Sequence, residues 1–268
     1  MKKLLLAFQF LTIIPLNVKG DISEKEMSQS AAFFPVVGVF QGLLAVLSLT
    51  LLIKVFPVEI TSGLIILILI ISNGGFHLDG LADTFDALSV KSSGNETTYK
   101  EKRLSVMKDS ATGAIGVVAI VISILLKFLF INSILLTSTP FTAYGLLFLM
   151  PVFSKWAMNT AIFHGISARQ NGLGKIFIDN TGAREFLLAT AAVAGSMVGA
   201  LSFMRSLSSC LQFLLLSLFV LYIISFSATR FFHKKFGGLT GDTLGAISEI
   251  TEIIFLLMVI AWSQLFIY

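Results

Sequence analysis

The chain has 268 residues, of which 56% are hydrophobic and only 13% are charged. Its mean hydropathy is +0.91. The core of a water-soluble domain cannot bury that much apolar surface, so the composition excludes such a domain and predicts a polytopic membrane protein. The net charge of +4 needs no nucleic-acid partner, because lysines that orient a membrane protein account for it. The single cysteine, Cys210, can form no internal disulfide, so we expect no chemistry from it.

The apolar runs predict an all-α integral membrane protein that forms one membrane-embedded domain over residues 1–268. A span needs roughly 20 mostly apolar residues. Seven runs qualify, at about 30–55, 60–78, 113–136, 141–164, 185–205, 211–232 and 245–267, with ends uncertain by several residues. The shorter run at 4–16 is stopped by Pro15, which favours a helix lying in the membrane interface.

The distribution of basic residues predicts the orientation of these spans. Fifteen of the 19 lysines and arginines fall in the segments on one side, whereas only Lys54 and Arg205 fall on the other and Lys127 and Lys155 lie within spans. Cytoplasmic loops carry the excess of Lys and Arg. We therefore expect a cytoplasmic N-terminus and a multi-pass protein of the bacterial inner membrane.

The stretch Gly74–Leu88, GGFHLDGLADTFDAL, is the most informative part of the chain. It continues span two without a polar loop, so we expect one continuous helix here. Steps of four and seven residues return to the same helix face, which places Asp79, Asp83 and Asp86 on one stripe. Clustered carboxylates require a cation, and Mg²⁺ or Mn²⁺ prefers such oxygen ligands.

A second polar segment, Ser89–Lys108, carries five cations and is expected to be mostly a solvated loop. At its end, Asp109 precedes the small residues that open span three. Asp109 is either an ordinary N-cap, or part of an anion site at a helix N-terminus flanked by Gly113 and Gly116.

Charged residues also occur in and after spans four to seven. Lys155 lies deep within span four, which favours a buried partner over snorkelling. The next loop, ARQNGLGKIF, carries Arg169 and Lys175 and suits a phosphate group, although it lacks the Walker spacing. Glu249 and Glu252 enter span seven, and intramembrane carboxylates indicate function by default.

Together these residues predict a site for phosphoryl-group transfer at the membrane surface. Acids would hold a divalent metal, cations would hold phosphate, and one spare carboxylate would accept the proton of an attacking hydroxyl. The small-residue pairs Gly38 and Gly42, and Gly195 and Gly199, further suggest close helix packing.

Four motifs resemble the cobalamin synthase, or adenosylcobinamide-GDP ribazoletransferase, family. They are HLDGLADTFDAL (77–88), MKDSATGAIGV (107–117), ARQNGLG (168–174) and GGLTGDTLGAISEITE (237–252), with the early LTIIPL and FFPVVGVFQG. The resemblance implies that α-ribazole or its 5′-phosphate attacks the cobinamide-side phosphorus of adenosylcobinamide-GDP and releases GMP, with Mg²⁺ required. Association with other cobalamin-assembly enzymes and the oligomeric state stay open.

The motifs and the charge pattern give these candidate site residues. The catalytic candidates are Asp79, Asp83, Lys108 and Asp109. The expected substrate contacts are His77, Arg103, Lys155, Arg169, Lys175 and Lys234. The expected Mg²⁺ ligands are Asp79, Asp83, Asp86, Asp242 and Glu249.

Three alternatives are weaker. A CDP-alcohol phosphatidyltransferase would show DGxxAR followed by GxxxDxxxD, but Asp83 occupies the Arg position and no such tail follows. A polyprenyl transferase uses similar acid spacing, so spacing alone does not exclude it. An ion-coupled transporter would explain Lys155, Glu249 and Glu252, but not why the motif acids gather on one face.

Overall fold

The computed structural model describes residues 1–91, 95–109, 111–201 and 207–266, with the side chains of 140, 141, 207, 208 and 266 left aside. Arg205 lies outside these ranges, and so does Ser110, the last residue of the MKDS motif. Within them the chain forms twelve α-helices and one short 3₁₀ turn (Ala31–Phe33). The helices are α1 Lys2–Leu11, α2 Glu24–Ser30, α3 Phe34–Leu52, α4 Val58–Ser72, α5 Phe76–Ser89, α6 Glu96–Val106, α7 Ala114–Thr137, α8 Pro140–His164, α9 Leu173–Asn180, α10 Ala183–Leu201, α11 Leu207–Phe236 and α12 Gly241–Phe266.

The helix lengths confirm the predicted fold class. In the described ranges, six helical segments are long and apolar enough to cross a membrane, and the bent pair α4 and α5 raises the number to seven. The six are Glu24–Leu52, α7, α8, α10, α11 and α12. The short N-terminal helix is also present as α1, and its position in the membrane interface stays a prediction.

The expectation that span two continues as one helix into the acidic stretch is wrong. α4 ends at Ser72, and α5 begins at Phe76 after a bend of 87°. Gly74 and Gly75 have φ of +65° and +74°, a left-handed conformation that glycine adopts without steric cost. Asn73 Oδ1 accepts a hydrogen bond from Gly75 N at 2.9 Å and fixes the turn. α5 is therefore turned sharply away from the axis of α4.

The central helix of the bundle is α8, which packs against α3, α10, α11 and α12. Every residue from Pro151 to Ile162 is buried. α3 approaches α8 closely, because a Cβ at Gly38 would lie 2.6 Å from Pro151 O. This confirms the predicted close contact of Gly38. The four helices α3, α10, α11 and α12 all pack against α8.

Several loops meet at one end of this bundle. The loop before α9 lies against the loop before α12, joined by hydrogen bonds from Ala168 N to Leu239 O and from Leu239 N to Ile166 O, both 2.8 Å. Ile13 N, just after α1, donates to Ser72 O at the α4 bend. The segment expected to be mainly a polar loop also contains α6. These contacts gather the sequence motifs at a single end of the molecule.

Candidate active site

α5 presents two carboxylates without protein partners. Asp79 is exposed and Asp83 is half-buried, one helical turn apart on the same face. Among the described residues, neither side chain accepts a hydrogen bond or forms an ion pair. Two adjacent, unpaired carboxylates are free to take a cation or a proton.

Asp86, the third acid of the stripe, has a different role from its neighbours. It is buried, and its Oδ2 and Oδ1 accept hydrogen bonds from Gly113 N at 2.7 Å and from Gly116 N at 2.8 Å. In one of the two readings of this segment, the amides at the start of α7 would bind an external anion, but those of Gly113 and Gly116 are occupied by a carboxylate of the protein. The N-cap reading of Asp109 is wrong as well, because the N-cap residue of α7 is Gly113. Asp109 Oδ1 instead accepts from Ala111 N at 3.1 Å.

Asp242 joins the α5 acids from the first turn of α12. A Cβ at Gly80 would lie 2.7 Å from Asp242 O, so the two helices cross almost in backbone contact. Asp242 Oδ2 pairs with Arg169 Nη2 at 2.8 Å. The Asp83 carboxyl experiences the charges of Asp79, Asp242, Asp86 and Arg169, so all four groups lie near it.

The donor set fits Mg²⁺ in the form that this ion takes in phosphate-processing sites. Within the described residues no three His, Cys, Asp or Glu side chains stand at metal-binding spacing. Mg²⁺ is commonly held by one or two carboxylates plus substrate phosphates and waters, not by a complete protein cage. Asp79 and Asp83 can supply those carboxylates, and Asp242 retains one oxygen beyond its ion pair.

The structure does not bring Glu249 into this group. It lies seven residues further along α12 than Asp242, about 10 Å deeper at 1.5 Å per residue. Its Oε2 accepts from Ser123 Oγ at 3.1 Å and from Lys127 Nζ at 2.7 Å. Its expected role as a metal ligand stays a prediction.

Glu249 belongs to a buried cluster of two lysines and two glutamates. Lys127 pairs with both Glu249 and Glu252, and Lys155 Nζ lies 3.7 Å from Glu252 Oε1. All four side chains are buried and their formal charges cancel. Such a cluster is tolerated in an apolar interior because every charge is paired.

His77 connects this cluster to the site. Its Nδ1 lies 3.4 Å from Asn73 Nδ2 and 3.5 Å from Lys155 Nζ. Both groups are donors, so Nδ1 accepts, and the proton of the neutral ring is on Nε2. His77 also lines a cavity of about 490 Å³. Lys155 is fully buried and reaches the site only through His77.

Two cavities flank the Asp242–Arg169 ion pair. One, of about 490 Å³, lies between α1, α2, α5, α8, α9 and α12 and includes His77, Asp79 and Asp242 in its wall. The other, of about 430 Å³, is bordered by Lys108 and Arg169. Two acids thus line the first cavity, the acidic cavity, whereas the second, the cationic cavity, is bordered by two cations and one acid, Glu101.

The remaining predicted substrate contacts lie further out. Arg103 is buried, donates to Lys235 O and Leu88 O, and stacks on the Tyr99 ring at 4.0 Å, so its guanidinium holds α6 in place. Lys234 is exposed in the last turn of α11.

Lys175 borders a neighbouring cavity of about 350 Å³. The hydrogen bond from its ammonium to the Asp179 carboxylate, 2.8 Å long, raises the pKa of Lys175. Lys175 therefore stays cationic beside the loop that carries Arg169.

Sequence reasoning missed two contributors to this site. Asn73 orients His77, and its only sequence signal is its place before two glycines. α1 forms a wall of the acidic cavity, and nothing in its apolar run distinguishes that role from an interfacial one. Both contributions depend on packing between distant segments.

The fold and the site define a polytopic helical membrane protein with an acid-and-cation site suited to phosphoryl transfer. The family model described as cobalamin-5-phosphate synthase matches residues 3–260, and the chain belongs to this family.

Curated relatives named adenosylcobinamide-GDP ribazoletransferase match over nearly their whole length. The protein of Thermodesulfovibrio yellowstonii is 34% identical over 263 residues, 98% of this chain and 97% of the relative. That of Caldanaerobacter subterraneus is 36% identical over 261 residues, 95% and 96% of the two chains. That of Fusobacterium nucleatum is 32% identical and is covered completely. No solved structure matches.

Proposed function

We propose that this protein is an adenosylcobinamide-GDP ribazoletransferase. A hydroxyl of α-ribazole, or of its 5′-phosphate, attacks the cobinamide-side phosphorus of adenosylcobinamide-GDP. The new oxygen–phosphorus bond replaces the bond to the bridging pyrophosphate oxygen, and GMP leaves with that electron pair. The products are GMP and adenosylcobalamin or its 5′-phosphate. The observation that carries the proposal is that Asp79, unpaired like Asp83 among the described residues, shares a cavity wall with Asp242, whose ion-pair partner Arg169 borders the cationic cavity, in a chain of this family.

The side chains divide the work by charge. Lys108 and Arg169 attract the pyrophosphate and the leaving GMP, because they border the cationic cavity. Asp83 or Asp79 accepts the proton of the attacking hydroxyl, whichever is not engaged by metal. Bound Mg²⁺ would neutralise phosphate charge and polarise the phosphorus that is attacked. The His77 Nε2 proton is available to a substrate oxygen in the acidic cavity.

The proposed location is the bacterial inner membrane with the site facing the cytoplasm. The loops that form the site are also those rich in Lys and Arg, which is the cytoplasmic pattern. The nucleotide-bearing substrate would reach the protein from that side.

The test is GMP formation by purified protein in lipid vesicles supplied with both substrates and Mg²⁺. We expect Asp83→Asn to lower kcat by about 10²-fold or more, the usual loss for a proton-transfer group, with unchanged membrane insertion. Glu59→Gln is the matched control, because this exposed carboxylate begins α4 far from the site in sequence and fold.

Wild-type turnover by Asp83→Asn would contradict the role of this carboxylate. Absence of GMP with the wild-type protein, together with uptake of a labelled solute into the vesicles, would favour the transporter.

A further inference from the structure

The acidic cavity of about 490 Å³ combines a deep apolar wall with a polar rim. Its apolar side is built by Phe10 of α1, Met27 of α2 and Met158 of α8, and its outer edge by Leu173 of α9. Met158 is 2% exposed, so this side reaches into the buried interior. The volume lies within the range of about 300–1,000 Å³ that is typical of small-molecule sites.

The polar rim of the cavity carries acids. Asp79 lines the cavity without a partner among the described residues, and Asp242 has only the Arg169 guanidinium to balance its charge. A phosphate would reach this rim only through a bound cation such as Mg²⁺, whereas sugar hydroxyls can donate directly to the carboxylates and accept from His77. The chemistry of the cavity therefore fits a flat apolar ring system joined to a neutral polyol.

Resting on the proposed function, we infer that this cavity binds the attacking nucleoside, with its benzimidazole base against the apolar wall and its ribose at the Asp79 rim. The nucleotide end of the other substrate then lies in the cationic cavity with Lys108. Asp242 lines the acidic cavity and its ion-pair partner Arg169 borders the cationic one, so the two substrates meet at this pair, beside Asp79 in the wall of the acidic cavity. The corrin ring of adenosylcobinamide-GDP is too large for the acidic cavity.

The test replaces Leu173, which is 51% exposed and tolerates a larger side chain, by tryptophan. We expect the KM for α-ribazole to rise about tenfold, as for steric loss of fit in an apolar pocket, while the KM for adenosylcobinamide-GDP stays within about twofold. A riboside whose benzimidazole lacks the methyl groups should lose less than α-ribazole. Leu187→Trp is the matched control, because Leu187 is 65% exposed on α10 outside the cavity.

Calorimetric binding of α-ribazole to the purified protein provides a second measurement that does not require turnover. If wild-type protein bound α-ribazole tightly but made no GMP, the proposed function would fail while weaker binding by Leu173→Trp would still support the cavity as the nucleoside site. Unchanged α-ribazole binding and KM in Leu173→Trp, as expected if lipid chains occupy the cavity, would overturn the inference. An equal rise in both KM values would also overturn it.

Discussion

Lys127 holds two carboxylates together inside the bundle. The Lys127 side chain on α7 is 7% exposed, and those of Glu249 and Glu252 on α12 are 4% and 9% exposed. A pair of opposite charges in an apolar interior adds little net stability, but a buried charge without a partner strongly destabilises the fold. The ammonium of Lys127 therefore contributes mainly by preventing two buried carboxylates from being left without a counter-charge.

We expect Lys127→Met to destabilise the fold by about 3–5 kcal/mol, the cost of breaking a buried ion pair. Thermal unfolding of purified protein in detergent, followed by tryptophan fluorescence, measures the change. The control is Lys54→Met, because Lys54 is exposed at the end of the bundle opposite the candidate site. This substitution should leave the Tm unchanged.

The double variant Lys127→Met/Glu249→Gln separates charge from packing. Removing one carboxylate along with the lysine should recover part of the lost Tm. If Lys127→Met alone had the same Tm as the wild type, the cluster would not be needed for stability.

At the scale of secondary-structure elements, the crossing of α5 and α12 positions the acids. Gly80 meets the backbone of Asp242, and reciprocally a Cβ at Gly245 would lie 3.2 Å from His77 Cα. With glycine at both crossing points, Asp242 comes close enough to act on Asp83. Larger residues at the crossing would separate the two acidic motifs.

Gly80→Ala should therefore impair both stability and catalysis. The added Cβ would lie 2.7 Å from a backbone oxygen that cannot rotate away, and overpacking of this kind costs about 1–3 kcal/mol. We expect a lower Tm and a lower kcat for GMP formation.

The control for this variant is Gly63→Ala. Gly63 also lies within a helix, but a Cβ there meets no atom within 4 Å. If both variants behaved like the wild type, the close crossing would not determine the site geometry.

Small-residue spacing alone does not identify such crossings. Gly38 contacts the backbone of α8, as its spacing predicted. The same spacing at Gly195 is misleading, because a Cβ there meets no atom of the described residues within 4 Å. The partner helix decides the outcome, and the sequence of one helix does not contain it.

At the scale of the whole molecule, the cationic loops and the candidate site occupy the same end of the bundle. Lys54 lies between α3 and α4 at the opposite end, and Lys234 lies in the last turn of α11. The asymmetry predicts that the Lys234 end faces the cytoplasm.

Cysteine labelling in intact cells checks this orientation. In a Cys210→Ser background, Lys54→Cys should react with a membrane-impermeant maleimide added outside. Lys234→Cys should react only after the cells are permeabilised. The reverse pattern would place the site on the outer face and contradict the proposed access of the nucleotide substrate.

The sequence by itself determined the membrane class, about seven spans and the helical face shared by Asp79 and Asp83. These properties depend on runs of apolar residues and on local periodicity, which any stretch of chain carries within itself. The motifs also carried the resemblance to the family that the comparisons confirmed. The bend at Gly74 and Gly75, which separates α5 from α4, escaped this local reading.

Tertiary structure decided which of the acids are free. Asp86 is engaged by amides 27 and 30 residues away, and Glu249 by Lys127, 122 residues away. Local spacing gave all these acids the same expected role, because a carboxylate acquires its partner only when distant helices pack together. Asp79 and Asp83 are available for chemistry because the fold gives them no such partner.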